Sequence, residues 1–574
     1  MFNFDKIIRN IQKPITYLGG EINCFHPDTE NSEIKFALGY PDLYEVGMSN
    51  LGVRILYHIL NNLDGVACER FFAPGYDLEN ILRKTDTPFF TLESRRPLKE
   101  FDIIGFSISS ELNYTNLINL LSLSKIPLHS VERDENDPII LAGGNCSFHP
   151  EPLSDFIDLW IVGEAEEAIV ELIEAYRNLK GLKRFDVIKS LTEIKGVYAP
   201  MFYSAMADET LMPITSRVPD VIQRRVIIDF ENSIFPTRWI VPSCDIIHDR
   251  ISLEIMRGCP QNCLFCQGGF CWRPVRKKSS KKVIELGLET YRNTGYEEIS
   301  LLSFSSADHP EIEKIVGGLV EKTSDFNVAI SFPSLRIDSF SFYLANKISQ
   351  VRRTGLTFAP ETGQSLRKHI GKNILDEKLL VLAEEAKKSG WRQMKLYFMI
   401  GLPCETERTI VEIEELIDKI SRIISVKCSF NTFIPKPHTP FQWEKFPEFE
   451  YYSQIKNRLK KRFSRNRFVH IKFHPYEMSK IECFLSRGNR KLGSVIEDVW
   501  KSGGKMENWS EGFVFDRWAV SMGKNQLDFL DYLGELPSIC NRWKHILASL
   551  QFEKLEKMKK DFYENFRRDT LISD

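Results

Sequence analysis

The chain has 574 residues, of which 43% are apolar and 12% aromatic, with 76 basic side chains against 78 acidic ones. That composition buries ample apolar surface and excludes disorder as the main mode. A net charge of −2 argues against a polyanion binder whose whole surface is basic. The start, Met1-Phe2-Asn3-Phe4-Asp5-Lys6, shows no signal peptide. The longest apolar runs, such as Leu396 to Leu402, fall short of the ~20 residues of a membrane span. A cytoplasmic protein with no membrane partner is the expectation. In a reducing compartment its twelve cysteines are not expected to form six disulfides.

Residues 1–180 alternate short apolar strands with helical stretches. Ile34 to Leu38, Asp102 to Ser107, Pro138 to Ala142 and Leu159 to Val162 read as strands. Leu51 to Leu60, Tyr114 to Leu123 and Glu166 to Tyr176 read as helices. Continuous apolar strands separated by helices imply a doubly wound parallel sheet, whose ligands sit at the carboxyl ends of strands. Gly143, Gly144 and Gly163 lie at such ends and are candidate cofactor contacts, with tight turns as the competing reading.

Residues 181–248 carry five prolines, Pro200, Pro213, Pro219, Pro236 and Pro242, and read as a connector. Residues 249–445 resume the strand–helix rhythm. Strands are expected at Ser252 to Met256, Glu298 to Phe304, Val328 to Phe332, Leu356 to Ala359, Met394 to Ile400 and Lys427 to Phe433. Helices are expected at Lys282 to Thr294, Glu311 to Lys322, Phe342 to Ile348, Asp376 to Ser389 and Glu407 to Ile420. Six βα units are too few for a complete eightfold barrel and imply an open, partial (βα)6 barrel. Residues 446–574 read as an α+β region. It begins with the basic run Lys456, Arg458, Lys460, Lys461, Arg462, Arg465, Arg467 and Lys472, and it ends in a polar helix from Phe552. Phe463 and Phe468 interleave with the run, so RNA stacking and a plain amphipathic helix are both open.

Nine cysteines are scattered, and an isolated cysteine is most simply a small buried hydrophobe. Cys259, Cys263 and Cys266 instead stand as Cys-x3-Cys-x2-Cys directly after the first barrel strand. Three thiolates on one glycine-rich loop suit three irons of a cubane cluster and leave the fourth iron open to a small ligand. The rival is a zinc site that adds Cys271, although zinc ribbons usually draw two cysteine pairs from separate knuckles. Arg273, Arg276, Lys277, Lys278, Lys281 and Lys282 follow the loop, either as a basic rim for an anionic substrate or as a solvated stretch.

The loop, with Phe265 as its aromatic, resembles that of the radical S-adenosylmethionine (radical SAM) superfamily. Glu361-Thr362-Gly363 and Gly401-Leu402-Pro403-Cys404-Glu405-Thr406 resemble further motifs of those enzymes, with Cys404 in place of a glycine. Ser303, Ser305 and Ser306 stand where a Gly-Gly-Glu is expected. Gly143-Gly144, Val162-Gly163-Glu164, Arg273-Pro274-Val275-Arg276, Pro435 to Trp443, Ser486 to Lys491 and Trp509 extend the likeness over nearly the whole chain. They resemble a family in which a cobalamin-binding-like domain precedes a radical SAM core.

The resemblance implies a 4Fe–4S cluster on Cys259, Cys263 and Cys266, and S-adenosylmethionine (SAM) held near Phe265, Ser305, Glu361, Gly401 and Glu405. It implies reductive cleavage of SAM to a 5′-deoxyadenosyl radical, fed by a one-electron reductant such as flavodoxin or ferredoxin. No catalytic residue is assigned beyond the cluster. RNA or a translation-related protein is the expected substrate class, and methyl transfer is one reaction option. Methylthio transfer is disfavoured because no second cysteine cluster is present. Helix capping is the bland explanation of Glu361 and Glu405. Cobalamin is a further option, although Tyr44, in Asp42 to Gly47, stands where a lower cobalt ligand would need histidine. The opposing class is a non-catalytic, zinc-stabilised RNA- or protein-binding module.

Overall fold

A computed structural model describes residues 4–331, 355–538, 540 and 542–573. The chain divides into two compact units. Unit 1 is Met1–Asp249 with Phe484–Phe529 and Ile539–Ala548; unit 2 is Arg250–Cys483 with Leu530–Ser538 and Ser549–Asp574. The region from 446 onward is therefore not a module of its own, as the sequence reading had it; its segments are shared between the two cores.

Unit 1 is built on a six-stranded sheet in the order β2-β1-β3-β4-β5-β6. The strands are β1 (Ile34–Tyr40), β2 (Val66–Phe72), β3 (Ile103–Ser107), β4 (Ile139–Gly143), β5 (Leu159–Ile161) and β6 (Val197–Tyr198). The first five run parallel, and β6 joins antiparallel. Every residue of β2 and β5 is buried, as expected where helices cover both faces. β2 escapes a hydrophobicity reading because Glu69 and Arg70 interrupt it. Inside, Arg70 pairs with Glu21 at 2.7 Å and with Glu93 at 2.7 Å, so the buried charges are compensated. A hairpin, β7 (Tyr203–Ala205) with β8 (Leu211–Pro213), and β9 (Ile222–Gln223) complete the 181–248 stretch.

Among its described residues, unit 2 carries seven parallel strands in chain order, in two sheets. One holds β10 (Ile251–Glu254), β13 (Glu298–Leu302) and β14 (Ala329–Ser331). The other holds β15 (Leu356–Glu361), β16 (Gln393–Ile400), β17 (Ser425–Thr432) and β18 (Val469–Phe473). A short antiparallel pair, β11 (Met256–Arg257) with β12 (Arg276–Lys277), lies beside β10 in sequence. The helix expected at Phe342 to Ile348 lies outside the described residues.

The sequence reading had six barrel strands; β18 is the seventh, and it comes from the basic run. Its partner helix Phe449–Phe463 buries Tyr452, Ile455, Leu459 and Phe463. Phe398, Phe430 and Phe473 stack across three adjacent strands at 5.2 Å each. Along β16 the even-numbered residues are buried and most of the odd-numbered ones are half-exposed. That alternation marks a sheet covered on one face, as an open barrel requires. A last strand, β19 (Ile546–Leu547), pairs with β9 inside unit 1.

Gly163, just past β5, has φ +97°, and a Cβ there would lie 2.5 Å from the Arg225 carbonyl oxygen. We expect Gly163→Ala to cost unit 1 about 3 kcal/mol, from left-handed strain and the clash together. Limited proteolysis of the full chain reads this out; unchanged resistance of the sheet would contradict it.

Candidate active site

The cysteine loop is a closed structure. The β11–β12 ladder joins its ends by pairing Met256 with Lys277 and Arg257 with Arg276. Gly258 takes φ +83°, and a Cβ there would sit 2.7 Å from the Trp272 and Pro274 carbonyl oxygens. Arg276, buried, donates to the carbonyls of Pro274 at 3.0 Å and Trp272 at 3.3 Å. Arg273 donates to the Gly269 carbonyl at 2.9 Å and to the Asn262 side chain, and its guanidinium lies 4.9 Å from the Phe270 ring centre. These two arginines thus brace the loop rather than form a free basic rim. Lys278 is buried as well, which leaves Lys277, Lys281 and Lys282 of the expected set nearer to solvent.

Within the loop Cys259, Cys263 and Cys266 are half-exposed, whereas Cys271 is buried with 0% exposure. Cys266 starts the short helix Gln267–Cys271, and its sulfur accepts from the Gly269 N–H at 3.4 Å. Burial pushes the Cys266 thiol up; Cys259 and Glu361 push the same way, while the Gly269 N–H and Lys372 pull it down. The balance is upward, so the thiol is favoured until a metal displaces its proton.

A second segment holds the loop from below. The Leu264 N–H donates to the Ile370 carbonyl at 3.0 Å, and the Cys263 sulfur lies 3.7 Å from the Gly371 carbonyl oxygen. Leu264 belongs to a core cluster with Leu366, Ile370, Leu402, Phe433, Phe441 and Phe562, and Phe265 packs against it. Phe562 comes from the terminal helix Phe552–Ser573, so that polar-looking helix contributes to the core under the site.

Glu361, at the end of β15, has φ +70° and pairs with Lys372 at 2.6 Å; that ammonium lies 6.0 Å from the Phe265 ring centre. Glu361 does not cap the following helix: the Ser365 N–H goes to Glu412 instead, at 2.8 Å. Lys372 carried no sequence signal, because it lies eleven residues past the motif in an otherwise ordinary stretch. Ser305 is buried, and its hydroxyl donates to Asp308 at 2.7 Å; the same Asp308 oxygen accepts from Gln261 of the cysteine loop at 2.8 Å.

Gly401, after β16, has φ +88°, and its N–H donates to Glu405 at 2.7 Å. The Tyr451 hydroxyl donates to the same oxygen at 2.6 Å, and the other carboxyl oxygen of Glu405 is buried with no partner. Burial pushes this carboxyl up to about 7, against the two donors. Capping of the next helix falls to Thr406 with Thr409, so Glu405 is free of that task. Cys404 has φ +62°, which explains why the resembled motif has glycine at this place.

In unit 1, Gly144 turns the chain after β4 with φ +98°, and a Cβ there would lie 2.6 Å from the Ile108 carbonyl oxygen. Gly143 differs: its only close neighbour is the Ile161 carbonyl oxygen at 3.6 Å. It borders a narrow apolar slot of about 50 Å³ with Leu38, Leu60, Phe106, Ile161 and Ile169 among the walls. Gly163 is covered by Arg225, as described above. Tyr44 is buried, and its hydroxyl donates to Glu21 at 2.9 Å. At the carboxyl edge of the same sheet Trp509 donates to Asp42 at 2.9 Å, and Asn508 donates to Asn113 at 2.5 Å.

Two of the eight basic residues of the run are ion-paired. Arg458 binds Glu414 at 2.7 and 2.9 Å and also Glu407, and Arg462 binds Asp418. Phe463 is buried, which removes it as a base-stacking platform, whereas Phe468 is 46% exposed with the Arg467 guanidinium 4.9 Å from its ring centre.

Two family models match the two units separately. The model for Radical SAM proteins, N-terminal, takes residues 52–200, and that for the Radical SAM superfamily takes residues 253–417. The uncharacterized protein MJ0966 of Methanocaldococcus jannaschii is 26% identical over 464 residues, 80% of this chain and 90% of that one. The uncharacterized methyltransferase PH0819 of Pyrococcus horikoshii is 23% identical over 398 residues, 67% of this chain and 74% of that one. A structure of the radical SAM methyltransferase TsrM from Kitasatospora setae, with cobalamin and a 4Fe–4S cluster bound, aligns over 72% of this chain and 77% of that one. The identity there is 13% and the TM-score 0.48. The chain is a radical SAM enzyme whose radical core follows a fused N-terminal domain. No helix among the described residues is long and apolar enough to cross a membrane.

Folding raises the Glu405 carboxyl above its usual range, so the folded state holds this proton more tightly than the unfolded one. Its contribution to stability is full in acid, below the unfolded value, and is lost as pH rises through about 7. We expect Glu405→Gln, which stays neutral, to melt a few degrees above the parent at about pH 8 and to lose that advantage at about pH 5. Equal melting shifts at both pH values would disprove a neutral Glu405.

Proposed function

We propose that the protein holds a 4Fe–4S cluster on Cys259, Cys263 and Cys266, binds SAM beside it, and transfers a methyl group with the help of a corrinoid carried by unit 1. The observation that carries the first part is the contrast among four neighbouring cysteines. Three are half-exposed on a closed loop, and the fourth, Cys271, is sealed in the core. Three accessible soft donors fit an iron–sulfur cluster with one open iron, and a four-thiolate zinc site would need Cys271 turned outward.

When bound, the cluster would supply the electron that cleaves one SAM to methionine and a 5′-deoxyadenosyl radical, with a one-electron reductant such as flavodoxin or ferredoxin restoring it; the methyl group would come from a second SAM, which leaves as S-adenosylhomocysteine. The chain's own residues bind and orient. Lys372 and Glu361 set the charge beside Cys266, and Lys372 is thus the cation nearest a carboxylate or sulfide placed there. Phe265 and its aliphatic neighbours keep water from the underside of the loop. Glu405, whose proton is held up to about pH 7, anchors the Gly401 turn by accepting from its N–H and carries a full negative charge only above that pH.

The methyl-transfer reading is supported by the name of the Pyrococcus horikoshii relative. For the corrinoid, the support is the doubly wound sheet itself, with Gly143 and Gly144 at the carboxyl end of β4, where ligands of such sheets bind; the slot of about 50 Å³ beside Gly143 lies between the sheet and its helices and is too small for a corrin. Tyr44 is committed to Glu21, so cobalt would have no lower ligand from that position.

Anaerobic purification of the full chain should yield about four irons and four sulfides per protein. Cys259→Ala, Cys263→Ala or Cys266→Ala should each abolish the cluster and 5′-deoxyadenosine formation, while Cys271→Ala should keep both. A colourless protein with one zinc would overturn the reading in favour of a structural zinc module. Separately, we expect the full chain to bind hydroxocobalamin, and Gly143→Leu, which adds bulk at the carboxyl end of β4 without left-handed strain, to weaken binding at least about tenfold. Equal affinity of parent and variant would place the corrinoid elsewhere.

A further inference from the structure

Among the described residues, one group of metal-type side chains has its donor atoms all within 4.8 Å of one another: Glu111, Cys146 and His149. All three are buried, with 4%, 1% and 2% exposure. They come from two loops of unit 1. Glu111 opens the 3-10 turn Glu111–Asn113 that follows β3. Cys146 lies in the 3-10 turn Asn145–Phe148 that follows β4 and Gly144, and the His149 N–H donates to the Cys146 carbonyl at 3.1 Å. In a 3-10 turn side chains three residues apart eclipse one another, so Cys146 and His149 present their donors on one side. The Cys146 N–H donates to the Ile108 carbonyl at 3.2 Å, which ties this turn to the loop that carries Glu111. His149 Nε2 lies 3.0 Å from a Glu111 carboxyl oxygen.

We propose that Glu111, Cys146 and His149 form a second metal site, distinct from the cluster loop, for one zinc-like divalent transition metal. One thiolate, one imidazole and one carboxylate are the borderline donors that such ions take. The charges also close. A divalent ion with a thiolate and a carboxylate is neutral, which a site this dry requires. A carboxylate binding through both oxygens completes four donors without water. The phenol of Tyr114 stands against the group, 1% exposed, and interacts with both Cys146 and Glu111. It is a further polar atom at a place with no solvent to satisfy it.

The site would join the turns after β3 and β4. These are two adjacent strand ends linked otherwise by the Ile108–Gly143 and Ile108–Cys146 hydrogen bonds. Its role is to fix the position of the Gly143–Gly144 turn, and it does not rest on what binds beside that turn.

The test uses the full chain carrying Cys259→Ala, Cys263→Ala and Cys266→Ala, so that no thiolate of the cluster loop competes. Titrated anaerobically with Co(II), this protein should bind one ion and show thiolate-to-cobalt charge transfer together with tetrahedral d–d bands. Adding Cys146→Ser should remove the charge-transfer band. Adding His149→Ala should weaken binding by at least about 100-fold, because even losing an outer-shell partner of a metal ligand costs 10–100-fold. Circular dichroism checks that each variant is folded. Where one is not, Glu111→Gln, close to isosteric, should give the same loss of affinity. A chain that binds no cobalt, or whose bands survive both His149→Ala and Glu111→Gln, would reduce the group to a buried glutamate–histidine pair and overturn the proposal.

Discussion

Three thiols within a stretch of eight residues can serve one cluster only if the backbone between them is held closed. In this protein that constraint is met by a two-residue ladder at the base of the loop and by two arginines inside it. Arg273 and Arg276 do for the loop what a longer stem would otherwise do: they satisfy carbonyls that a tight, partly buried turn leaves without partners. The segment after β15 then fixes the loop against the barrel through Ile370 and Gly371. Removing the cations would therefore act first on the shape of the loop and only then on its charge.

The strand ends of both units are turned by one device, a residue in the left-handed region just past the strand. Gly144 follows β4, Gly258 follows β11 and Gly401 follows β16. Where a side chain is needed at such a corner, the protein keeps it and accepts the strain: Glu361 and Cys404 both have positive φ. For Glu361 the return is a carboxylate aimed at Lys372 and within electrostatic reach of Cys266. For Cys404 the structure shows packing against the Leu264 core cluster and no further partner role.

Much of this was legible in the sequence, and the failures have definite causes. The parallel strands were visible wherever apolar runs were unbroken. β2 was missed because Glu69 and Arg70 sit inside it, and a buried ion pair has no hydrophobic signature. β18 was missed because a strand with one face exposed can carry His470 and Lys472, so the run looked merely basic. The three cysteines proposed to hold the cluster stand out by their spacing. Lys372, Asp308 and Tyr451 do not, since each reaches its partner from another loop or helix and its own neighbourhood has no pattern. Cys146 looked like one more buried thiol; only the fold brings Glu111 and His149 to it. The basic rim after the loop was half misread, because composition cannot distinguish an arginine that binds a substrate from one that binds its own backbone.

Unit 1 also has a schedule. Its sheet comes from the first part of the chain, yet Asp42 receives its hydrogen bond from Trp509, and the two are 467 residues apart. At roughly 5–20 residues per second, a ribosome needs on the order of half a minute or more to make the intervening chain. Throughout that interval the carboxyl edge of the sheet is without its final cover, and the barrel strands are produced meanwhile. The order of synthesis thus gives any ligand of that edge a window of access before the last segment arrives.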